Sequence, residues 1–266
     1  MNEQPPLPEA PPMPPPPPPT TSLAARLLNV FASPGEVFEE VKNSVASTSN
    51  WLVPALLSAV IGIAAVLIIY SQPAVVQQIR EQQAKVFDDQ VKAGKMSQAD
   101  ADRALTMAEK FSGPTMVKIT GSIGAVVVSF IRIFWWALVL WLLGWLFLKT
   151  KFSYMKAVEV AGLATMISIL GGIVAVLLTV NFGKLSSVNL DLVFANTDPK
   201  GKFHPLLAAL DVFSFWLVGV MTVGLARLAG VRFARAFVLV AGYWLLLQFL
   251  LLSLQALAGS LMPHAK

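Results

Sequence analysis

A chain of 266 residues that is 56% hydrophobic and only 13% charged cannot cover itself with water-facing side chains, because soluble domains carry about 25% charged residues; part of its surface must face lipid. The net charge of +5 is modest, and the basic residues fall mostly between apolar runs, which orients membrane segments and does not signal nucleic-acid binding. The absence of cysteine excludes disulfides, thiolate metal sites, a cysteine nucleophile and a lipid-modified cysteine anchor; with only His204 and His264, a multi-histidine metal site lacks ligands and no cofactor is expected.

Residues 1–10 contain Glu3 and Glu9 and no basic residue. No charged n-region precedes an apolar core, so a cleavable signal peptide is not expected and the N-terminus is placed on the cytoplasmic side. Residues 1–21 form a Pro-rich tail, dominated by proline from Pro5 to Pro19. Proline lacks a backbone N–H and fixes φ, which favours extended polyproline II. Such a tail is either simply disordered or a ligand for an aromatic-lined groove on a protein partner.

Two short helices follow. Ser22 caps one that carries Leu23, Leu27, Val30 and Phe31 on a stripe. Ser33 opens the next, with Pro34 at its first position and Glu36 at capping-box spacing. Both are too short to span a bilayer and are expected in the interface or against the bundle.

The first transmembrane span covers about residues 51–71, roughly 30 Å at 1.5 Å per residue. Trp51 has the placement of an interfacial anchor. Residues 72–118 are Gln-rich and of mixed charge, and predict an extramembrane helical hairpin. Gly94 breaks it, Ser97 caps its second helix with Asp100 three residues on, and Gly113-Pro114 ends it. Further spans are expected at about 124–148, 157–180, 205–228 and 236–257, with a polar loop at 181–204. Backbone in hydrocarbon must satisfy its own hydrogen bonds, so these runs are helices. The fold class is therefore all-α: a bundle of about five transmembrane helices.

Lys149, Lys151 and Lys156 lie between spans two and three. Arg227, Arg232 and Arg235 lie between spans four and five. Short basic loops stay inside, which puts the N-terminus in the cytoplasm and the C-terminus outside. Lys149, Lys151, Arg232 and Arg235 are read with Trp51 as interfacial anchors.

Arg132, Glu159 and Asp211 interrupt the spans. A charge at a helix centre costs about 2.5–3.5 kcal/mol on insertion scales. Arg132 and Asp211 fall at similar depth and are expected to pair, either as a bundle-holding ion pair or as part of a transport path; snorkelling to the interface is the third option. Glu159, beside Lys156, is expected at the inner boundary. Ala164, Ser168 and Gly172 step by four along span three and predict a helix-packing face. Trp135, Trp136, Trp141 and Trp145 in span two are read as lipid-facing or interfacial, with an aromatic ligand box as the rarer alternative. Metal pairs, nucleophile elbows and phosphate loops are absent from the sequence, so no enzyme activity is expected.

The stretch Leu27 to Phe38, with Ser33-Pro34 and Phe38, followed by Trp51-Leu52-Val53-Pro54, resembles the start of the bacterial branch of the Yip (Ypt/Rab-interacting protein) membrane domain. Phe152-Ser153-Tyr154 with Ala157 is similar to the same family, as is Leu210 to Trp216 leading to Gly224-Leu225-Ala226. The resemblance covers about residues 22–258. It implies a five-helix integral membrane domain with a cytoplasmic N-terminus. Eukaryotic members bind small GTPases, but their glycine-rich and Asp-Leu-Tyr-Gly-Pro patterns are not evident here and that activity is not carried across.

Two functions follow as expectations. One is a non-enzymatic protein of a bacterial inner membrane that organises or recruits partners, contacting the lipid bilayer and, through the tail or the 72–118 hairpin, other proteins. The other is a small transporter or permease subunit using Arg132, Asp211 and Gln248. Oligomeric state leaves no signature in the sequence.

Overall fold

The computed structural model describes residues 21–111, 113–183, 188 and 211–261. The tail up to residue 20, most of the 181–204 loop, the expected beginning of span four at 205–210, and both histidines lie outside the described residues. Among the described residues there are nine helices and no extended strand: α1 Leu23–Ala32, α2 Pro34–Asn43, α3 Ser49–Ile69, α4 Pro73–Lys92, α5 Gln98–Phe111, α6 Pro114–Leu146, α7 Tyr154–Phe182, α8 Val212–Ala229 and α9 Phe233–Leu261. Five of them, α3, α6, α7, α8 and α9, are long and apolar enough to cross a bilayer.

The helix ends follow local chemistry. Ser22 Oγ accepts the Ala25 N–H at 3.2 Å and starts α1. Ser33 differs from its expected role. It is the single residue between α1 and α2, its own N–H closes α1 on Asn29 O at 2.7 Å, and its hydroxyl makes no capping bond. Pro34 at the first position of α2 needs no N–H partner. Ser97 caps α5 as its spacing predicts, accepting from Asp100 N at 3.1 Å and donating to Asp100 Oδ2 at 2.7 Å. Gly230, at φ 66°, stops α8 in the left-handed region that a side chain resists.

Helix α7 is the centre of the bundle. It packs along α3, α6 and α8, and its first half is buried almost all round. The α3–α7 contact is backbone-close. A Cβ on Gly162 would stand 2.4 Å from Trp51 Cα and 2.8 Å from Asn50 O, so only glycine fits. Large apolar side chains on α6 and α9 remain exposed, among them Ile131, Leu246 and Phe249. In water such a surface would be a liability; in lipid it is the outer wall. α9 touches mainly α8 and has the least buried span of the five.

α1 and α2 lie across one end of the bundle. Val30, Val37, Phe38 and Val41 carry their apolar stripes into the core, and α2 contacts α8 while α1 contacts α7. At this end α3, α7 and α9 begin and α6 and α8 finish. The α4–α5 hairpin follows the far end of α3. Its first turn touches the far end of α7, where a Cβ on Gly183 would lie 3.9 Å from Ala74.

Candidate functional site

Two places in the bundle gather polar side chains. The first is a buried chain of them that fastens α1 and α2 to the spans. Arg26 sits on the apolar stripe of α1, four residues before Val30, and therefore points inward. Its Nη2 meets Glu40 Oε1 of α2 at 2.8 Å, and its Nη1 donates to Asn50 Oδ1 at 3.2 Å. Asn50 Nδ2 then donates to Glu159 Oε2 at 2.6 Å. Glu159 Oε1 lies 3.0 Å from Lys156 Nζ as a charge contact without hydrogen-bond geometry. Lys156 Nζ in turn donates to Val41 O at 2.6 Å, closing the chain back onto α2.

Polarity runs in one sense along this chain. The Asn50 oxygen faces a cation and its amide faces an anion, so the residue joins two groups of opposite charge without a charge of its own. Asn50 and Glu159 have no exposed surface. Burial of a carboxylate is tolerable only with partners close by, and α7 and α3 provide them. Glu159 thus lies near the start of α7, as its sequence position suggests, but is enclosed by protein and does not face headgroups. At the outer end, burial raises the Glu40 carboxyl, and hydrogen bonds from Arg26 and Thr21 outweigh it, leaving its pKa below the ordinary 4.5.

The second place is a cavity of about 260 Å³ at the other end of the bundle. Arg132, Asp211, Ser168 and Gly172 share its lining. Arg132 Nη2 donates to Ser58 Oγ at 3.3 Å, and its Nε is buried without a partner. Asp211 is the N-cap of α8: Oδ1 accepts from Phe213 N at 2.8 Å and Ser214 N at 3.1 Å, and Oδ2 accepts from the Ser214 hydroxyl. The residues expected to pair therefore face one cavity, each holding a nearer partner. Ser168 and Gly172 line that cavity as well, and Ala164 is in the core. A Cβ on Gly172 would meet nothing within 4 Å.

Lys149, Lys151, Arg232 and Arg235 are exposed at the α1–α2 end. Trp51 is half-buried at that end, edge-on to Phe134, with its indole N–H unpaired. The tryptophans of α6 point in several directions: Trp135 donates to Tyr243 O–H at 2.8 Å, Trp136 is buried, and Trp141 stacks with Trp145. Among the described residues, no three His, Asp or Glu side chains converge as a metal site.

Arg26 and Asn50 match no motif in the sequence. The signals were there: a charge on the apolar stripe of α1, and an amide one residue before Trp51 at the head of an apolar run.

Five long apolar helices with short amphipathic helices across one end define a polytopic α-helical membrane protein. The family model of the Yip1 domain matches residues 28–254, and the chain belongs to that family. No curated protein and no solved structure matches the chain.

Proposed function

We propose that this protein is a non-enzymatic organiser of a bacterial inner membrane, with its N-terminus in the cytoplasm and its C-terminus outside, recruiting protein partners to the face that carries α1 and α2. The observation behind this reading is the buried link Arg26–Asn50–Glu159, which holds α1 to the spans and so gives the Pro-rich tail a fixed mount at the membrane face. A tether anchored this way keeps its partner at high local concentration beside the bilayer. The α4–α5 hairpin would serve as a contact surface on the opposite face. Affinity capture from membranes tests the reading by comparing the full chain with one lacking residues 1–21. Specific partners should be lost on truncation, and identical catches would contradict a tethering role.

A second reading, a small transporter or permease subunit, draws support from the 260 Å³ cavity between Arg132 and Asp211. Ionisable residues that face a cavity at the membrane level are how substrate or proton paths are built. On this reading the two residues act as a pair across the cavity, and uptake by cells expressing Asp211→Asn would fall.

A further inference from the structure

A pocket of about 520 Å³ lies at the α1–α2 end, outside the buried polar chain. Glu39 and Lys42 of α2 and Arg227 of α8 form its charged part, and Val223, Val231 and Phe233 are the main apolar surfaces. Two cations share one carboxylate there. Glu39 Oε2 is 3.6 Å from Arg227 Nη1, and Glu39 Oε1 is 3.6 Å from Lys42 Nζ. Both separations exceed a hydrogen bond, and among the described residues neither cation makes a side-chain hydrogen bond. Their donors, five on a guanidinium and three on an ammonium, remain unspent.

Arg227 is nevertheless braced. A Cβ on Gly35 would come within 3.1 Å of its Nη2, so the guanidinium lies against the backbone of α2. The pocket sits where α8 ends and α9 begins, the level at which a spanning helix leaves hydrocarbon for the headgroup layer. Exposed Arg232, in the connection, and Arg235, in the first turn of α9, add to the positive potential there.

We propose that this pocket binds the phosphate of an anionic phospholipid, with Arg227 and Lys42 as its ligands and the Val223, Val231 and Phe233 surfaces against the glycerol and first acyl carbons. Arginine suits a phosphate geometrically, offering two parallel N–H donors. Charge selects the source. The two cations less Glu39 leave one positive charge, which matches a phosphodiester; free phosphate carries more than one negative charge at neutral pH and has no apolar part to meet Val223, Val231 and Phe233.

Native mass spectrometry of the full chain in detergent, titrated separately with phosphatidylglycerol, phosphatidylcholine and inorganic phosphate, tests this. One phosphatidylglycerol should bind at least tenfold more tightly than phosphatidylcholine. Lys42→Gln with Arg227→Gln should abolish that tenfold preference, whereas Arg232→Gln with Arg235→Gln should change it by less than threefold. Equal loss in both double variants would mean a diffuse surface potential and overturn the site. An undiminished preference in the Lys42/Arg227 variant would overturn it too, as would displacement of the lipid by equimolar phosphate. Should the double variant melt early, Lys42→Glu decides instead: the side chain is exposed and its contact with Glu39 is longer than a hydrogen bond, and unchanged lipid binding would refute the proposal.

Discussion

Asn50 and Glu159 stand 109 residues apart in sequence, yet Asn50 Nδ2 donates to Glu159 Oε2 at 2.6 Å and neither side chain has any exposed surface. This one bond joins the mouth of α3 to the first turns of α7. Through Arg26 and Lys156 it also reaches α1 and α2. A buried carboxylate stripped of a partner is expensive, about 3–5 kcal/mol when one side of a buried pair is removed.

Asn50→Leu should therefore lower the melting temperature in detergent markedly. Asn50→Asp should do so as well, because it sets a second carboxylate against Glu159. Glu159→Gln, which removes the buried charge and keeps a hydrogen-bonding amide, should cost less than either. A thermal melt in which the three variants rank otherwise would show that the chain of polar groups is not what holds these helices.

Arg26 links the mount to the bundle, and its replacement should act locally. Arg26→Leu keeps the apolar stripe of α1 but strands Glu40 and Asn50. Hydrogen exchange should rise in α1 and at the start of α2, with α3 and α7 cores still protected. Uniform exchange across the spans would contradict a local fastening.

The Glu40 carboxyl gives this fastening a pH dependence. Its folded pKa lies below 4.5 because bonds from Arg26 and Thr21 outweigh the burial that raises it. A depressed carboxylate contributes stability that is full above its unfolded pKa and is lost as pH falls through the folded value. Protection of α1 from exchange should thus be constant from neutral pH down to about 5 and decline below the ordinary Glu value near 4.3. Glu40→Gln should remove that decline.

Gly162 sets how near α3 and α7 can come. With a Cβ 2.4 Å from Trp51 Cα, Gly162→Ala must push the two backbones apart. Overpacking of this kind costs about 1–3 kcal/mol, whereas Gly172→Ala, with open space around it, should be close to neutral. The pair can be compared by their midpoints of thermal aggregation in detergent.

Asp211 separates its structural and transport roles through one substitution. Asparagine caps a helix about as well as aspartate, whereas alanine forfeits about 0.5–2 kcal/mol. Asp211→Asn should leave the melting temperature near wild type, and Asp211→Ala should lower it. Lost uptake in a stable Asp211→Asn protein would favour the transport reading, since the cap survives and only the charge is gone.

The architecture was legible in the chain because apolar runs of span length have few alternatives. The charge-free stretch from Asn43 to Ile79 contains an apolar run, Trp51 to Ser71, of span length, and the Ser97–Asp100 spacing marks a helix start whatever surrounds it. The polar chain was harder to see. Arg26, Asn50 and Glu159 belong to three helices, and no spacing rule connects residues whose neighbours are set by tertiary packing. Glu159 shows the limit most clearly. Its position predicts a boundary residue, but its enclosure depends on Asn50 and on α2 lying across the bundle end. The glycine that matters at the α3–α7 contact, Gly162, is likewise outside the Ala164–Ser168–Gly172 ladder, because the close approach is decided by where Trp51 and Asn50 fall on the facing helix.

A single span, α3, separates α1–α2 from the α4–α5 hairpin and so puts them on opposite faces of the bilayer, and the chain's lack of cysteine makes this directly measurable. Val45, 90% exposed after α2, and Ala99, exposed on α5, can each be replaced by a single cysteine and treated with an impermeant maleimide in sealed cells. Ala99→Cys should label in intact cells and Val45→Cys only after permeabilisation. Labelling of both from one face would contradict α3 as a span and, with it, the five-span bundle and the proposed placement of α1 and α2.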